Sequence, residues 1–208
     1  MKDNRIVVIG RQFGSGGREI AKKLAAKLAV KCYDKELLTI AAKNSGLCDT
    51  WFEVNDEKPN KSFLYSLVLG SYSMGAPGLN GGEHPLNFQV HLAQQKAICE
   101  IAERESCVIV GRCADYALRD YPKMISVFIS ANVEDRVARV MEGSQVDEAK
   151  ARDLVNKNDK SRASYYNYYS EGKWGDAKNY DLCINVSKLG IDKAVEMIEQ
   201  FILLQDKR

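Results

Sequence analysis

Residues 6–25 read IVVIGRQFGSGGREIAKKLA, and the junction in the middle of this stretch decides how the rest of the chain is taken. An apolar, β-prone run, Ile6 to Ile9, ends in a turn carrying Gly14, Gly16 and Gly17. An amphipathic pattern follows at once. Ile20, Leu24 and Leu28 recur every four residues, while Lys22, Lys23 and Lys27 turn outward. A strand, a glycine-rich turn and a helix form the layout in which backbone N–H groups at a helix N-terminus receive a phosphate. Glycine adopts positive φ without steric cost, so the backbone can approach a ligand closely. The consensus for such loops, G-x-x-x-x-G-K-[ST], places Lys and then Ser/Thr after the last glycine. Here Gly17, Arg18 and Glu19 stand there instead. Arg18 is the nearest cation, and its guanidinium can fork two phosphate oxygens. Glu19 offers a hard oxygen to Mg²⁺, or it favours the helix N-terminus and pairs with Lys23 at i,i+4.

Composition narrows the class. The 208 residues, 45% hydrophobic, suffice for one packed domain. A net charge of +2 gives no reason to expect nucleic acid or an acidic membrane as partner. No stretch approaches the roughly 18 apolar residues of a membrane span, and no signal-peptide pattern precedes the first strand, so a cytoplasmic protein is expected. The six cysteines at 32, 48, 99, 107, 113 and 183 make no C-x-x-C pair, and with two histidines a zinc site is not expected. Reduced, buried thiols are the simpler reading.

Strand-like and helix-like segments alternate. Strands are expected at Arg5–Gly10, Val30–Asp34, Cys107–Gly111, Met124–Ser130 and Asp181–Val186. The runs CVIVG and ISVFIS are nearly all apolar, as in strands covered on both faces. This predicts an α/β fold, a three-layer parallel sheet of about five strands with helices on both faces. Asp34 can cap a second helix through Leu37, Leu38 and Ala41, which Gly46 stops. Ser144 and Asp147 read as a capping box opening a more charged helix, and a last helix runs from Asp192 to about Leu204 through Ala194, Ile198 and Phe201. Between Trp51 and Leu86, five glycines and three prolines break the rhythm around the apolar FLYSLVL. That stretch suits either a flap over a site or an oligomer contact such as a homodimer.

Taken together, GSGGREIAKKLAAKLAVKCYDKELL, VIVGRCADYAL, FISANVEDRVARV and DKSRASYYNYYSEGKWGDAKNYDLCINVS resemble the cytidylate-kinase-like family. This is a branch of the nucleoside monophosphate kinases with the P-loop NTPase fold. The resemblance implies one P-loop kinase-like domain over 1–208, with a flap or acceptor-side insertion at 51–90 and a helical lid at 144–178. It implies ATP and Mg²⁺ as cofactors, small nucleotides as partners, and transfer of the γ-phosphoryl group to a nucleoside monophosphate or related small acceptor. By position it makes Gly14, Ser15, Gly16 and Gly17 the loop around the donor phosphates, with Gly17 where the family's lysine falls and Glu19 where its Ser/Thr holds magnesium. Arg112 resembles the arginine that binds the acceptor phosphate, and Asp34 the acid of the acceptor pocket. Asp159 and Arg162 match the lid pair, with Lys157 and Lys160 as further cations.

Arg18, Arg112 and Arg162 are thus the expected catalytic cations, since phosphoryl transfer needs positioning and positive charge rather than covalent chemistry. Two other readings compete. A nucleotide- or anion-binding protein could keep the fold without the chemistry. An NAD(P)-dependent dehydrogenase finds Asp34 twenty residues after Gly14 and a Tyr169/Lys173 pair, but Glu19 occupies the site of its third glycine.

Overall fold

Ile6, Val7, Val8 and Ile9 are each at most 1% exposed, because β1 (Ile6–Arg11) is the middle strand of a five-stranded, wholly parallel sheet. The computed structural model of the chain describes residues 4–34 and 86–205. The elements after β1 are α1 (Gly17–Lys27), β2 (Lys31–Tyr33), α2 (Leu86–Arg104), β3 (Cys107–Val110), α3 (Ala114–Ala117), β4 (Met124–Ser130), α4 (Val133–Ser144), α5 (Glu148–Tyr169), β5 (Leu182–Asn185), α6 (Val186–Leu189) and α7 (Ile191–Gln205). The strand order is β2-β3-β1-β4-β5. All five strands lie where the sequence expects them, within about one residue at most ends.

The side-chain alternation of a strand divides β1 between two cores. Ile6 and Val8 pack with Val90, Ala97, Ile98 and Ile101 of α2. Val7 and Ile9 pack with Ile20 and Leu24 of α1 and with Ala194, Ile198 and Ile202 of α7. Each fully buried aliphatic side chain contributes about 1.5–3 kcal/mol, so α1 is held to the sheet by its apolar stripe rather than by capping. Its N-cap, Gly16, has no side chain with which to cap the first turn.

β1 and β3 send their chains to opposite faces. The residues of α1 join one core and Ala114 and Leu118 join the other. A crevice therefore opens at the carboxyl ends of these adjacent strands, the position where α/β sheets collect ligands.

Beyond β4, α4 and α5 form a helical hairpin. Val137, Val140, Ala151 and Val155 close its apolar seam, and Phe13 of the β1–α1 loop packs against it. Ser144 belongs to the last turn of α4, and Gln145 turns the chain with φ of 52°. Asp147 alone caps α5, accepting from the Lys150 amide at 2.7 Å. The expected capping box is absent because Asp147 is itself the N-cap, where a capping box would need it at N3.

Two further expectations need adjustment, and others fall outside the described residues. The helix capped by Asp34 and most of the 51–86 segment lie outside the described residues. Leu86–Val90, the end of the 51–90 stretch, begins α2. Of the described thiols, Cys107 and Cys113 are buried but Cys99 and Cys183 are exposed. No helix among the described residues is long and apolar enough to cross a membrane.

The far half of α5 meets α2 through aromatic contacts. His91 stacks on Tyr169 with ring centroids 3.8 Å apart, and its Nδ1 is 2.9 Å from the Tyr165 hydroxyl. Burial lowers the His91 pKa to about 4 from an ordinary 6.5. The unfolded chain therefore takes up a proton that the folded chain refuses as pH falls from 6.5 towards 4. This contact contributes its full stability above about pH 6.5, and loses about 3 kcal/mol on the way down. The unfolding midpoint should fall between pH 7 and 4.5, and His91→Gln should flatten that fall in thermal melts followed by circular dichroism. An unchanged pH slope in the variant would contradict the assignment.

Candidate phosphate-binding site

The turn after β1 is fixed from several sides. Gln12 donates its amide to the Ile129 carbonyl at 3.0 Å, and its side-chain oxygen accepts from the Ala131 amide at 3.1 Å. The fully buried Ser15 hydroxyl donates to the Gln12 carbonyl at 2.8 Å. Gly14 and Gly16 take φ of 75° and 82°, as the sequence suggests. A Cβ at Gly14 would stand 2.7 Å from the Arg136 carbonyl oxygen, so no larger residue fits. α1 starts at Gly17, whose N–H donates to the Ser15 hydroxyl oxygen at 3.4 Å, and its N-cap Gly16 offers no side chain to cap the first turn, which opens on the loop.

This loop forms one wall of a cavity of about 490 Å³ at the crevice between β1 and β3. Among the described residues, four arginines line it (Arg11, Arg18, Arg112 and Arg162) against one carboxylate, Asp34. Arg112 is the most buried of these cations, at 5% exposure. It follows Gly111, and Gly111, Arg112 and Cys113 take φ of 73°, 65° and 54° in succession. Two non-glycine residues in the left-handed region cost about 1–3 kcal/mol each. The turn is held by the Gln95 side chain donating to the Arg112 carbonyl at 2.9 Å and by burial of Cys113. Burial, with the positive charges of Arg11 and Arg162, lowers the Arg112 pKa to about 10, so it stays charged at neutral pH.

The expected site residues separate into three groups. Gly14, Gly16, Gly17, Arg18, Asp34, Arg112 and Arg162 all line the cavity, while Ser15 braces the loop from inside. Within this group Arg18 is not a lone cation beside the loop. Its Nε donates to Asp34 Oδ2 in a close ion pair, with the Asp34 carboxylate buried and Arg18 54% exposed. The second group is Glu19, which lies outside the cavity lining. Its carboxylate meets Lys23 at 3.2 Å on the exposed face of α1. Lys157 and Lys160 are also exposed and outside the lining.

Asp159 makes up the third group. Its Oδ1 accepts from the Phe13 amide at 2.7 Å, and its Oδ2 pairs closely with Arg136. It fastens the loop to the α4–α5 hairpin instead of facing the cavity. Arg162, three residues on, points inward: its Nη1 donates to the Arg11 carbonyl at 3.2 Å and its guanidinium lies 5.5 Å from the Phe13 ring.

Sequence reasoning missed Arg11, Arg136, Arg139 and Asn158. Asn158 lines the cavity, and Arg139 donates to the Gly14 carbonyl. Arg136 and Arg139 sit three apart in VEDRVARV, a spacing that puts both on one face of α4. A second cavity of about 390 Å³ lies between α4 and α6, lined by Asp135, Arg139, Glu142 and Ser187 among others. Arg139 joins it to the loop. Among the described residues no group of three or more His, Cys, Asp or Glu side chains is placed to hold a metal ion.

The model of the cytidylate kinase-like family matches residues 6–188, and the chain belongs to that family. An uncharacterized protein from Eubacterium ventriosum ATCC 27560 is 35% identical, covering 99% of this chain and 100% of its own, with a TM-score of 0.72. Shikimate kinase from Bacteroides thetaiotaomicron is 15% identical over 95% of this chain and 98% of its own, TM-score 0.54. Shikimate kinase from Acinetobacter baumannii, solved with shikimate, is 14% identical over 100% and 97%, TM-score 0.51. At such identities these two kinases show a shared α/β fold and no more. No curated protein matches the chain.

The Asp159–Arg136 pair is the most buried ion pair at the site, with side-chain exposures of 17% and 6%. Removing one partner of such a pair costs about 3–5 kcal/mol, because the other charge stays buried. Asp159→Ala should lower the midpoint of thermal unfolding by roughly 6–12 °C for each ~3 kcal/mol lost. A shift under about 2 °C would show that the pair does not fasten the loop.

Proposed function

We propose that this member of the cytidylate kinase-like family transfers the γ-phosphoryl group of ATP to a small acceptor, with a nucleoside monophosphate as the leading candidate. The observation that carries this reading is the meeting of loop amides and four arginines in one cavity at the carboxyl edge of the sheet. Among the described lining residues four positive charges face one negative, an excess that suits a polyphosphate better than a neutral metabolite.

The chemistry follows from placement. The amides of Gly14 to Gly17 receive the donor phosphates at the start of α1, where the helix dipole adds its own attraction. The donor's base and ribose lie towards the second cavity, across Arg139. Arg112, held rigidly by its turn, and Arg162, carried on the lid helix α5, face the group in transfer. Cations already in position stabilise the spreading negative charge without reorganising during the reaction. Asp34 orients Arg18 towards the acceptor side and keeps its guanidinium from wandering. The α4–α5 hairpin acts as the lid, and Asp159 sets its distance from the loop.

Magnesium supplies charge neutralisation and orientation to ATP in such reactions. The described residues give it no carboxylate cage: Asp34 is paired with Arg18, and Glu19 is paired with Lys23 outside the cavity. Mg²⁺ is thus proposed to arrive with the nucleotide, on phosphate oxygens and water, and Glu19 has no part in the proposed constellation.

Release of ADP from ATP and Mg²⁺, with each nucleoside monophosphate and shikimate added in turn and a no-acceptor control, tests the reading. Acceptor-dependent release is expected, and Arg162→Ala should lower kcat by about 10³-fold with KM for ATP changed far less. Binding of ATP without acceptor-dependent release across the panel would favour a nucleotide-binding protein that retains the fold without this chemistry. No binding of ATP would overturn the proposal.

A further inference from the structure

Position 17 has no room for the lysine that the loop consensus places there. A Cβ on Gly17 would lie 2.5 Å from the Cβ of Arg11 and 3.1 Å from its Cγ. The same side chain then crosses the crevice to the neighbouring strand, where a Cβ on Gly111 would lie 2.0 Å from Arg11 Nη1. Arg11 therefore runs over two residues that have no side chains, from the start of α1 to the end of β3, along the wall of the 490 Å³ cavity. Its backbone carbonyl is fixed by Arg162 from the lid helix.

The spacing supports the same conclusion. In G-x-x-x-x-G-K the first glycine and the lysine are six positions apart. Counting back six from position 17 arrives at Arg11. This chain carries the two ends exchanged, an arginine where the consensus has glycine and a glycine where it has lysine. Simple loss of a lysine would leave the glycine end alone. Two changes that fit each other sterically are what relocation of a cation leaves behind.

We propose that Arg11, entering from the last residue of β1, is the loop's phosphate-binding cation, and that Gly17 and Gly111 are glycines because its side chain passes over them. The ligand class is a nucleoside triphosphate or other polyphosphate, gripped at the phosphates nearest the loop. Arg18 does not fill this role, because Asp34 holds it and half of its surface faces solvent. A planar guanidinium anchored on a strand also presents a two-pronged donor, where a lysine on the helix presents a point charge. The inference rests on the phosphate-binding half of the proposed function and not on the transfer step.

Titration calorimetry with ATP and with inorganic tripolyphosphate tests it. Arg11→Met keeps an unbranched apolar stem over Gly17 and removes the charge. It should weaken both ligands by about 10- to 100-fold, the range expected for charged hydrogen bonds, while Arg11→Lys should retain most of the affinity. Gly17→Ala, with Arg11 intact, should displace the guanidinium and weaken tripolyphosphate comparably. The double change Arg11→Gly with Gly17→Lys restores the first glycine and the lysine of the consensus and clears the Arg11 Cβ contact, so it should bind at least about tenfold better than Arg11→Gly alone. Unfolding midpoints of all variants separate loss of binding from loss of fold. If Arg11→Met binds tripolyphosphate as well as the wild type, Arg11 merely fills space and the proposal is overturned. It is overturned equally if the wild type does not bind tripolyphosphate. Should the double variant fail to fold, the Met and Lys variants decide the question by themselves. Failure of the transfer reading looks different: these affinities behave as expected while no acceptor releases ADP.

Discussion

The end of β1 and the start of α1 approach so closely that only one of them can carry a side chain, and the space goes to Arg11. The candidate site is arranged around that constraint. Because β1 is the middle strand, Arg11 emerges at the centre of the carboxyl edge, between the loop it belongs to and the β3 turn that carries Arg112. The loop itself is pressed from a second side by α4, where the Arg136 carbonyl forbids a Cβ at Gly14. Gly17 is glycine for lack of volume alone, whereas Gly14 and Gly111 combine that lack of volume with positive φ of 75° and 73°.

Gathering like charges in one cavity is unfavourable without an anion, and the fold bears that cost locally. Arg112 sits at the end of a strand buried on both faces, on a strained turn braced by Gln95. Its lowered pKa registers both its burial and the neighbouring charges. Arg162 comes from the hairpin, and Asp159 on the same helix ties that hairpin to Phe13 and Arg136. One helix therefore carries both the tether that sets its distance from the loop and the cation it delivers. At its far end, Tyr165 and Tyr169 pack on His91 of α2, so a change in helix position would be felt at both ends.

The middle of the sheet was readable because β3, β1 and β4 are buried on two faces and so appear as apolar runs with β-branched residues, while the edge strands β2 and β5 are short and partly exposed. The family could be read from motifs spread over the chain. Parts of the site were less legible for specific physical reasons. The pairing of Arg18 with Asp34 joins residues sixteen apart across a crossover, and no local pattern reports it. Asp159 was legible as a lid acid, but a carboxylate that accepts from a backbone N–H looks the same in sequence as one facing a ligand. Glu19 and Lys23 were visible as an i,i+4 pair, and the helix surface uses them so. α2 carries Val90, Ala97, Ile98 and Ile101 at helical spacing, but it starts directly after Pro85 at the end of a glycine- and proline-rich stretch, where no capping pattern marks its beginning. Arg11 lay in plain view, six residues before Gly17. Only the missing volume at position 17 connects the two.

The most direct measurement is a crystal structure with a non-hydrolysable ATP analogue and Mg²⁺. The account predicts the β- and γ-phosphates against the Gly14–Gly17 amides, with the Arg11 guanidinium within hydrogen-bond distance of their oxygens. Phosphates seated elsewhere, or an Arg11 side chain turned away from a fully occupied loop, would contradict it.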